Sequence, residues 1–218
     1  CHEGKYFDSL LTNRAYGRLL VTGDKSKDVI ADASRLFPIR TENNHSVIQN
    51  ITGSNLNHHI GVSTLTITKD RMFVIGVQNK RPDKNEHLHV PPGSGSCDYS
   101  DLRKNFDFLE TVKYAMKREL EEECTLERSN NTIGVKILGY YRLVSEGGKP
   151  EFAGVTKTGI PFREFTPNIR ELDDFEPPEH FGSMEGLLVL IDKYYNKPET
   201  SLPLNMNLFF LRKYIEEN

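Results

Sequence analysis

The stretch that decides the fold is Arg118-Glu119-Leu120-Glu121-Glu122-Glu123. At 100° per residue, positions 108–126 predict a helix with one apolar stripe. The apolar members of that stripe are Val112, Ala115, Met116 and Leu126. Three carboxylates share the stripe: Glu119, Glu122 and Glu123. The opposite face carries Lys113, Tyr114, Lys117 and Glu121. This phase predicts that the three glutamates point toward the protein interior.

Inward-facing carboxylates need a compensating charge. Crowded on one stripe, they repel one another and lose hydration, which is costly if nothing pairs with them. A hard divalent cation removes that cost, and carboxylate oxygens suit Mg²⁺ or Mn²⁺. The alternative is a charged helix of fortuitous phase, or glutamates paired with a buried arginine such as Arg118. The phase favours the metal site.

The spacing of these residues resembles the box of the Nudix hydrolase family, written G-x5-E-x7-R-E-U-x-E-E-x-G-U with U aliphatic. The matching positions are Glu110, Arg118, Glu119, Leu120, Glu122, Glu123 and Leu126. The opening glycine falls at Lys104, and the late glycine, which serves the turn that ends the helix, is Thr125. The run 91–95, Pro-Pro-Gly-Ser-Gly, is similar to the Pro-Gly-Gly loop that precedes such boxes, so residues 97–106 are interpreted as an insertion.

The resemblance implies a fold and an activity. The fold is an α/β/α sandwich with a mixed sheet, formed by residues 56–218, and residues 1–55 are an N-terminal extension without an assigned role. The implied activity is hydrolysis of the pyrophosphate bond in a nucleoside diphosphate linked to another moiety. Mg²⁺, or Mn²⁺, is expected on Glu119, Glu122 and Glu123. The alternative is a catalytically inactive Nudix-like module that binds nucleotides or regulates, as the two missing glycines permit.

Further roles follow from the same resemblance. Arg118 is expected to orient a glutamate through a bidentate ion pair, the alternative being an ordinary surface arginine. Three roles stay open for Glu110: support of the metal shell, partnership with Arg118, or a capping box with Asp107. Glu164 is the first candidate for a further carboxylate, as ligand or general base. Two others stand behind it: Glu151 and Glu146.

Composition describes one soluble globular domain with a small addition. The chain has 218 residues, 37% of them hydrophobic, a mean hydropathy of −0.53 and a net charge of −3. Because Lys and Arg are dispersed, no nucleic-acid partner is expected, and the lack of a long apolar run argues against a membrane. The expected partner is a small-molecule nucleotide substrate. The natural substrate and the oligomeric state stay open.

The cysteines indicate the compartment. They are odd in number and have no metal-site spacing: Cys1, Cys97 and Cys124. This pattern favours a reducing environment and a cytoplasmic location over a disulfide framework. The chain begins at Cys1 rather than Met, which leaves room for a removed leader.

Periodicity predicts the remaining elements. Strands are predicted at 60–68, 72–78, 135–144 and 151–158, and near 19–21. Helices are predicted around 7–11, at 29–37, at 184–195 and at 204–216. Residues 162–180 are predicted to form a loop. The pair His58-His59 is predicted to be structural, because neighbouring side chains on a strand point to opposite faces.

Overall fold

The computed structural model describes residues 4–15, 17–23, 25–33, 39–54, 56–78, 88–103, 107–126 and 132–218. The chain divides into two compact units: Cys1–Ile60 with Tyr141–Glu151, and Gly61–Tyr140 with Phe152–Asn218. The predicted division into an extension, 1–55, and a hydrolase domain, 56–218, stays a prediction. Lys104, at the position of the opening glycine, lies outside the described residues.

The first unit contains one short helix and two hairpins. Its elements are α1 (Tyr6–Leu11), β1 (Leu19–Val21), β2 (Val29–Asp32), β3 (Ile39–Glu42) and β4 (His45–Ile48). The predicted helix at 29–37 is wrong over Val29–Asp32, which pairs antiparallel with β1. Its first two residues, Val29 and Ile30, are β-branched and suit a strand. The end of that prediction, 34–37, falls outside the described residues.

The adjacent histidines of this unit each form a hydrogen bond with a residue in or near α1. Nδ1 of His58 lies 3.2 Å from Nδ2 of Asn13, and Nδ1 of His59 lies 3.2 Å from the hydroxyl of Ser9. Burial, with the charges of Lys149 and Arg14, lowers the pKa of His59 to about 4. His59 is therefore neutral near pH 7. The structural role predicted for this pair stays a prediction.

The second unit is built on a sheet with helices on both sides. Its helices are α2 (Phe108–Glu123), α3 (Met184–Tyr194) and α4 (Leu202–Glu217). Its strands are β5 (Gly61–Ile67), β6 (Met72–Val74), β7 (Gly76–Gln78), β8 (His89–Val90), β9 (Ser94–Ser96), β10 (Thr132–Leu143), β11 (Lys149–Thr158), β12 (Leu172–Phe175) and β13 (Glu179–His180), where the hairpin end of β10 and β11 belongs to the first unit. The main sheet has the order β10-β11-β5-β6-β13, with β9 also paired to β5, and a smaller sheet has the order β12-β7-β8.

Strand pairing in this unit is mixed. β5 pairs antiparallel with β6 and β9, whereas His89 forms a parallel bridge with Thr200. The predicted α/β class with a mixed sheet is confirmed. The predicted loop 162–180 is wrong in part, because it contains β12 and β13, which pair antiparallel with β7 and β6. That pairing is a long-range contact, which the local pattern of prolines and charges does not reveal.

β5 lies between two helical layers because its side chains alternate between two faces. Thr64 faces α2: a Cβ added at Gly93 would lie 2.9 Å from Thr64 and 3.0 Å from Leu120 at once. Leu65 belongs instead to the core cluster of α3 and α4, with Ile191 and Leu208. The helices thus pack on opposite faces, as an α/β/α sandwich requires. Within the described part of the chain, no helix is long and apolar enough to cross a bilayer.

One buried amide joins α4 to the sheet. Nδ2 of Asn207 donates to the hydroxyl of Ser63 at 2.6 Å and to the carbonyl of Pro203 at 2.8 Å. Its Oδ1 accepts from the backbone N–H of Gly154 at 3.0 Å. Asn207 is fully buried. Its polar atoms therefore satisfy groups on two neighbouring strands that water cannot reach.

We expect Asn207→Leu to lower the free energy of unfolding by about 2–4 kcal/mol, because the N–H of Gly154 and the hydroxyl of Ser63 lose a buried partner. Urea unfolding followed by circular dichroism measures the change. Asn218→Leu, the same substitution at the exposed end of the same helix, is the control and should be nearly neutral. Equal stability of the two variants would contradict this role for the amide.

Candidate metal site

The helix that carries the acidic run begins and ends at defined residues. Asp107 is its N-cap, and its Oδ1 accepts from the backbone N–H of Glu110 at 2.8 Å. Thr125, just beyond the helix, has a φ of 50°. The N–H of Leu126 donates back to the carbonyl of Glu121 at 2.9 Å, as in a Schellman turn. Thr125 thus adopts the left-handed conformation that a glycine takes more readily, so the exit of the helix is kept although the glycine is replaced.

The three box glutamates differ in burial. Glu123 is buried, the side chain of Glu119 is 14% exposed and that of Glu122 is 46% exposed. The prediction that all three point inward is therefore wrong for Glu122. The helical angle explains the difference: relative to Glu119, Glu123 is turned by about 40° in one direction and Glu122 by about 60° in the other. Glu122 lies at the edge of the stripe. The angle alone does not set exposure, because Glu121, predicted on the opposite face, has a side chain only 10% exposed.

The glycine-containing loop holds the two inner carboxylates. The backbone N–H groups of Gly93 and Ser94 donate to the two oxygens of Glu123, at 2.9 and 3.3 Å. The N–H of Ser96 donates to Oε1 of Glu119 at 3.1 Å. Gly93 has a φ of 91°, which favours glycine. A Cβ at Gly95 would lie 2.3 Å from the carboxylate of Glu119. The loop is thus shaped around these side chains.

Arg118 joins the carboxylates to the preceding loop. Its Nε and Nη2 donate to Oδ1 and Oδ2 of Asp101 at 2.7 and 3.0 Å, while Nη1 lies 3.0 Å from Glu119 and 3.1 Å from Glu122. Nη2 also donates to the carbonyl of Ser96 at 2.7 Å. The bidentate pair predicted between Arg118 and a glutamate is therefore made with Asp101. The glutamates receive single contacts from the remaining nitrogen.

Glu110 lies apart from this network. It is exposed in the first turn, where Oε1 accepts from Nζ of Lys113 at 2.6 Å. Nine residues separate it from Glu119, about 14 Å along the helix axis. Of the capping box left open for Glu110, the structure shows one half: Asp107 accepts from the N–H of Glu110, while the carboxylate of Glu110 pairs with Lys113. It does not bring Glu110 to Arg118.

Three carboxylates outside the box are further candidates from the sequence. Glu164 is exposed in the 3₁₀ turn Phe162–Glu164, and the contacts of the described residues do not join it to the box. Glu151 forms an ion pair with Lys149 at 2.6 Å, within the unit that also contains Glu146. The predicted catalytic role of Glu164 stays a prediction.

Sequence reasoning missed the segment that covers the end of α2. The backbone N–H of Asn168 donates to the carbonyl of Glu123 at 2.8 Å, and its Nδ2 donates to the carbonyl of Glu122 at 3.1 Å. Three residues later, the charge of Glu171 contributes to raising the pKa of Glu123. Asp101 was missed as well. Both acidic residues lie in irregular segments, whose position relative to a helix is not encoded by periodicity.

Burial dominates the electrostatics of the cluster. It raises the pKa of Glu123 to about 8, against the opposing hydrogen bonds from Gly93 and Ser94, and the charge of Glu119 adds to the rise. Burial likewise raises the pKa of Glu119, although Arg118 opposes it. Burial would lower the pKa of Arg118, but its bonds to Asp101 and the nearby carboxylates raise it. Burial therefore disfavours the charged form of both inner carboxylates.

The carboxylate oxygens of the box glutamates are ligands of the kind that a hard cation such as Mg²⁺ prefers. Among the residues that the structure describes, no three or more His, Cys, Asp or Glu side chains already surround one point. The oxygens of the box glutamates already have partners: Nη1 of Arg118 contacts one oxygen of Glu119 and one of Glu122, and loop N–H groups donate to both oxygens of Glu123. A carboxylate has about four acceptor positions, so these bonds leave lone pairs for a cation. The carboxylate oxygens and the glycine cradle around Glu119 fit Mg²⁺.

Comparisons with known proteins give structural similarity only. No family model matches the chain, and no curated protein matches its sequence. The chain is similar to the MutT protein from Methanosarcina mazei Go1, with a TM-score of 0.43 and 14% identity over 72% of this chain and 94% of that one. It is also similar to DR0079 from Deinococcus radiodurans, with a TM-score of 0.44 and 13% identity over 82% and 98%. A NUDIX-family hydrolase from Clostridium perfringens gives 0.41 and 16% over 73% and 99%. At such scores the roles assigned below depend on the contacts of the box residues.

We expect Gly95→Ala to weaken Mn²⁺ binding by at least ~10-fold, because the new methyl group displaces the carboxylate of Glu119 from its cradle. The end of that side chain can move, so the melting temperature should change little. Calorimetric titration with Mn²⁺ measures the affinity. Gly134→Ala is the matched control, since a Cβ there meets nothing within 4 Å. Wild-type affinity in Gly95→Ala would remove Glu119 from the proposed ligands.

The raised pKa of Glu123 predicts how stability depends on pH without metal. In the unfolded chain the carboxyl loses its proton near pH 4.5, whereas the folded protein keeps it to about pH 8. This contribution to stability is therefore complete below pH 4.5 and is lost as the pH rises to 8. In EDTA, the melting temperature of the wild type should fall over this range more steeply than that of Glu123→Gln. Parallel pH profiles of the two proteins would contradict the raised pKa.

Proposed function

We propose that this protein is a Nudix-type hydrolase that cleaves the pyrophosphate bond of a nucleoside diphosphate linked to another moiety, using Mg²⁺ or Mn²⁺. The observation that carries the proposal is the set of hydrogen bonds between the glutamates of α2 and the loop from Gly93 to Ser96. Glu123 is buried beside Glu119, and the loop from Gly93 to Ser96 directs three backbone N–H groups at the two side chains. A helix whose acidic face served only solubility has no need of such a cradle.

Arg118 and the three box glutamates have distinct roles in this proposal. Glu119, Glu122 and Glu123 would hold the cation, which when bound neutralises charge on the diphosphate and lowers the pKa of the attacking water. Arg118 fixes the orientation of Glu119 and Glu122 through Nη1. Glu122, the most exposed of the three, is the one that a substrate entering from solvent meets first.

A general base from outside the box completes the proposal. Glu171 acts on the pKa of Glu123 through its charge, and its segment is bonded to the end of α2 through Asn168. Glu164, predicted from the sequence, has no described contact with the box. We therefore rank Glu171 ahead of Glu164 for this role. The cytoplasmic location, and the expectation that neither nucleic acid nor membrane is a partner, stay predictions.

We expect Glu123→Gln and Glu122→Gln each to lower kcat by at least ~10²-fold, because each removes a charge that holds the cation. Glu121→Gln is the control from the same run, since its carboxylate lies 3.6 Å from Lys117. Steady-state rates with a responsive substrate, together with circular dichroism of each variant, make the measurement. Wild-type turnover in both test variants would refute the ligand assignment.

The substrate class is tested with a panel of nucleoside diphosphate derivatives in Mg²⁺, scored by product. Release of a nucleoside monophosphate and a second phosphorylated product identifies the pyrophosphate bond as the one cut. Binding of panel members without turnover would instead support the inactive nucleotide-binding module. If the protein neither binds nor cleaves any panel member, and Mg²⁺ does not change its melting temperature, the acidic helix has only a structural role.

A further inference from the structure

The loop before α2 supplies a carboxylate that the box does not contain. Asp101 ends the 3₁₀ turn Tyr99–Asp101, and its side chain is 1% exposed. It is bound on two sides: Oδ2 accepts from the backbone N–H of Asp98 at 2.8 Å, and both oxygens accept from Arg118. Burial and these hydrogen bonds together hold the Asp101 carboxylate in one orientation.

We infer that Asp101 is the positioning residue of this site: by fixing Arg118, it sets where Glu119 and Glu122 present their oxygens. The inference rests on the proposed function of those glutamates as metal ligands. Asp101 acts through Arg118 and is not itself proposed to touch substrate or metal.

The shape of the guanidinium group explains how the position is transmitted. Its five N–H groups lie in one plane, so two bonds along one edge fix the direction of the others. Nε and Nη2 are bound to Asp101, and Nη2 also donates to the carbonyl of Ser96. Nη1 is then directed to Glu119 and Glu122, at 3.0 and 3.1 Å. A lysine would supply the charge but not this geometry.

The same contacts explain a departure from the family pattern. The box places a glutamate eight positions before the arginine, and here that residue, Glu110, is exposed and bound to Lys113. Glu110 therefore matches the box in sequence but does not bind Arg118. The loop that the spacing identifies as an insertion provides Asp101 in its place.

The inference is tested with Asp101→Asn, which keeps the size of the side chain but removes its charge and turns an N–H donor toward Arg118. We expect the Kd for Mn²⁺ to rise and kcat to fall by about 10-fold each, with KM within about twofold. In ¹⁵N NMR spectra, the Nε–H of Arg118 should lose its protection from exchange. Asp98→Asn is the matched control, because Asp98 is 58% exposed and lies 3.7 Å from the same guanidinium, where solvent screens the charge.

Folding defects are separated from positioning by a double-mutant cycle. Arg118→Lys should reproduce the loss of Mn²⁺ affinity, and adding it to Asp101→Asn should cost little more, because both changes break one unit. Additive losses would overturn the inference, as would wild-type affinity in a folded Asp101→Asn protein. A larger loss in Glu110→Gln than in Asp101→Asn would assign the arginine to Glu110 and also overturn it.

The proposed function and this inference fail in different ways. A wild-type protein that binds no Mn²⁺ and cleaves no diphosphate refutes the proposed function, and the positioning role with it. A wild-type protein that does both, with Asp101→Asn unchanged in affinity and kcat, refutes the positioning role alone. A protein that binds Mn²⁺ without turnover refutes the hydrolase, and the affinity of Asp101→Asn then decides the role of Asp101.

Discussion

The burial of Glu123 against the backbone of the glycine loop is the constraint on which the site depends. A carboxylate removed from water loses hydration that only hydrogen bonds or an opposite charge can replace. The N–H groups of Gly93 and Ser94 supply the hydrogen bonds, yet burial still raises the pKa of Glu123 to about 8. The hydrogen bonds thus offset only part of the cost, and the remainder is what a cation would supply.

The burial of Glu123 requires both small residues in the loop and close packing of α2 against that loop. Gly93 needs its left-handed backbone and has Leu120 immediately beside it, while Gly95 leaves the space that the carboxylate of Glu119 occupies. A larger residue at Gly93 would push the loop away from α2, and one at Gly95 would displace the carboxylate of Glu119. β9 is in turn paired with β5 in the central sheet. The two inner carboxylates are therefore positioned by the fold and not only by the helix that carries them.

The sequence predicted the α2 helix, the longest strands of the second unit and both C-terminal helices, because these elements have strong periodicity of their own. The single strand predicted at 72–78 is instead two strands, β6 and β7, in different sheets. The sequence placed Glu119 and Glu123 correctly on the interior stripe. It was wrong for Glu122, which is exposed, and for Glu121, which was predicted on the outer face but is largely covered, because the angle around a helix does not show which segments cover it. It could not find Asp101 or Glu171, because each reaches the site through a long-range contact of an irregular segment. The strands within 162–180 were not predicted for the same reason, because their pairing partners are distant in the sequence.

Two features of α2 differ from the box that the sequence resembles, and each has a structural counterpart. Thr125 adopts the backbone conformation of the missing glycine, and Asp101 takes the contact with Arg118 that Glu110 does not make. Each substitute costs something: a β-branched residue with positive φ is strained, and a buried ion pair loses hydration on both sides. A helix that only packed against a sheet could avoid the second cost with apolar residues at both positions 101 and 118. The buried pair of Asp101 and Arg118 therefore supports the proposal that Glu119 and Glu122 are held in fixed positions.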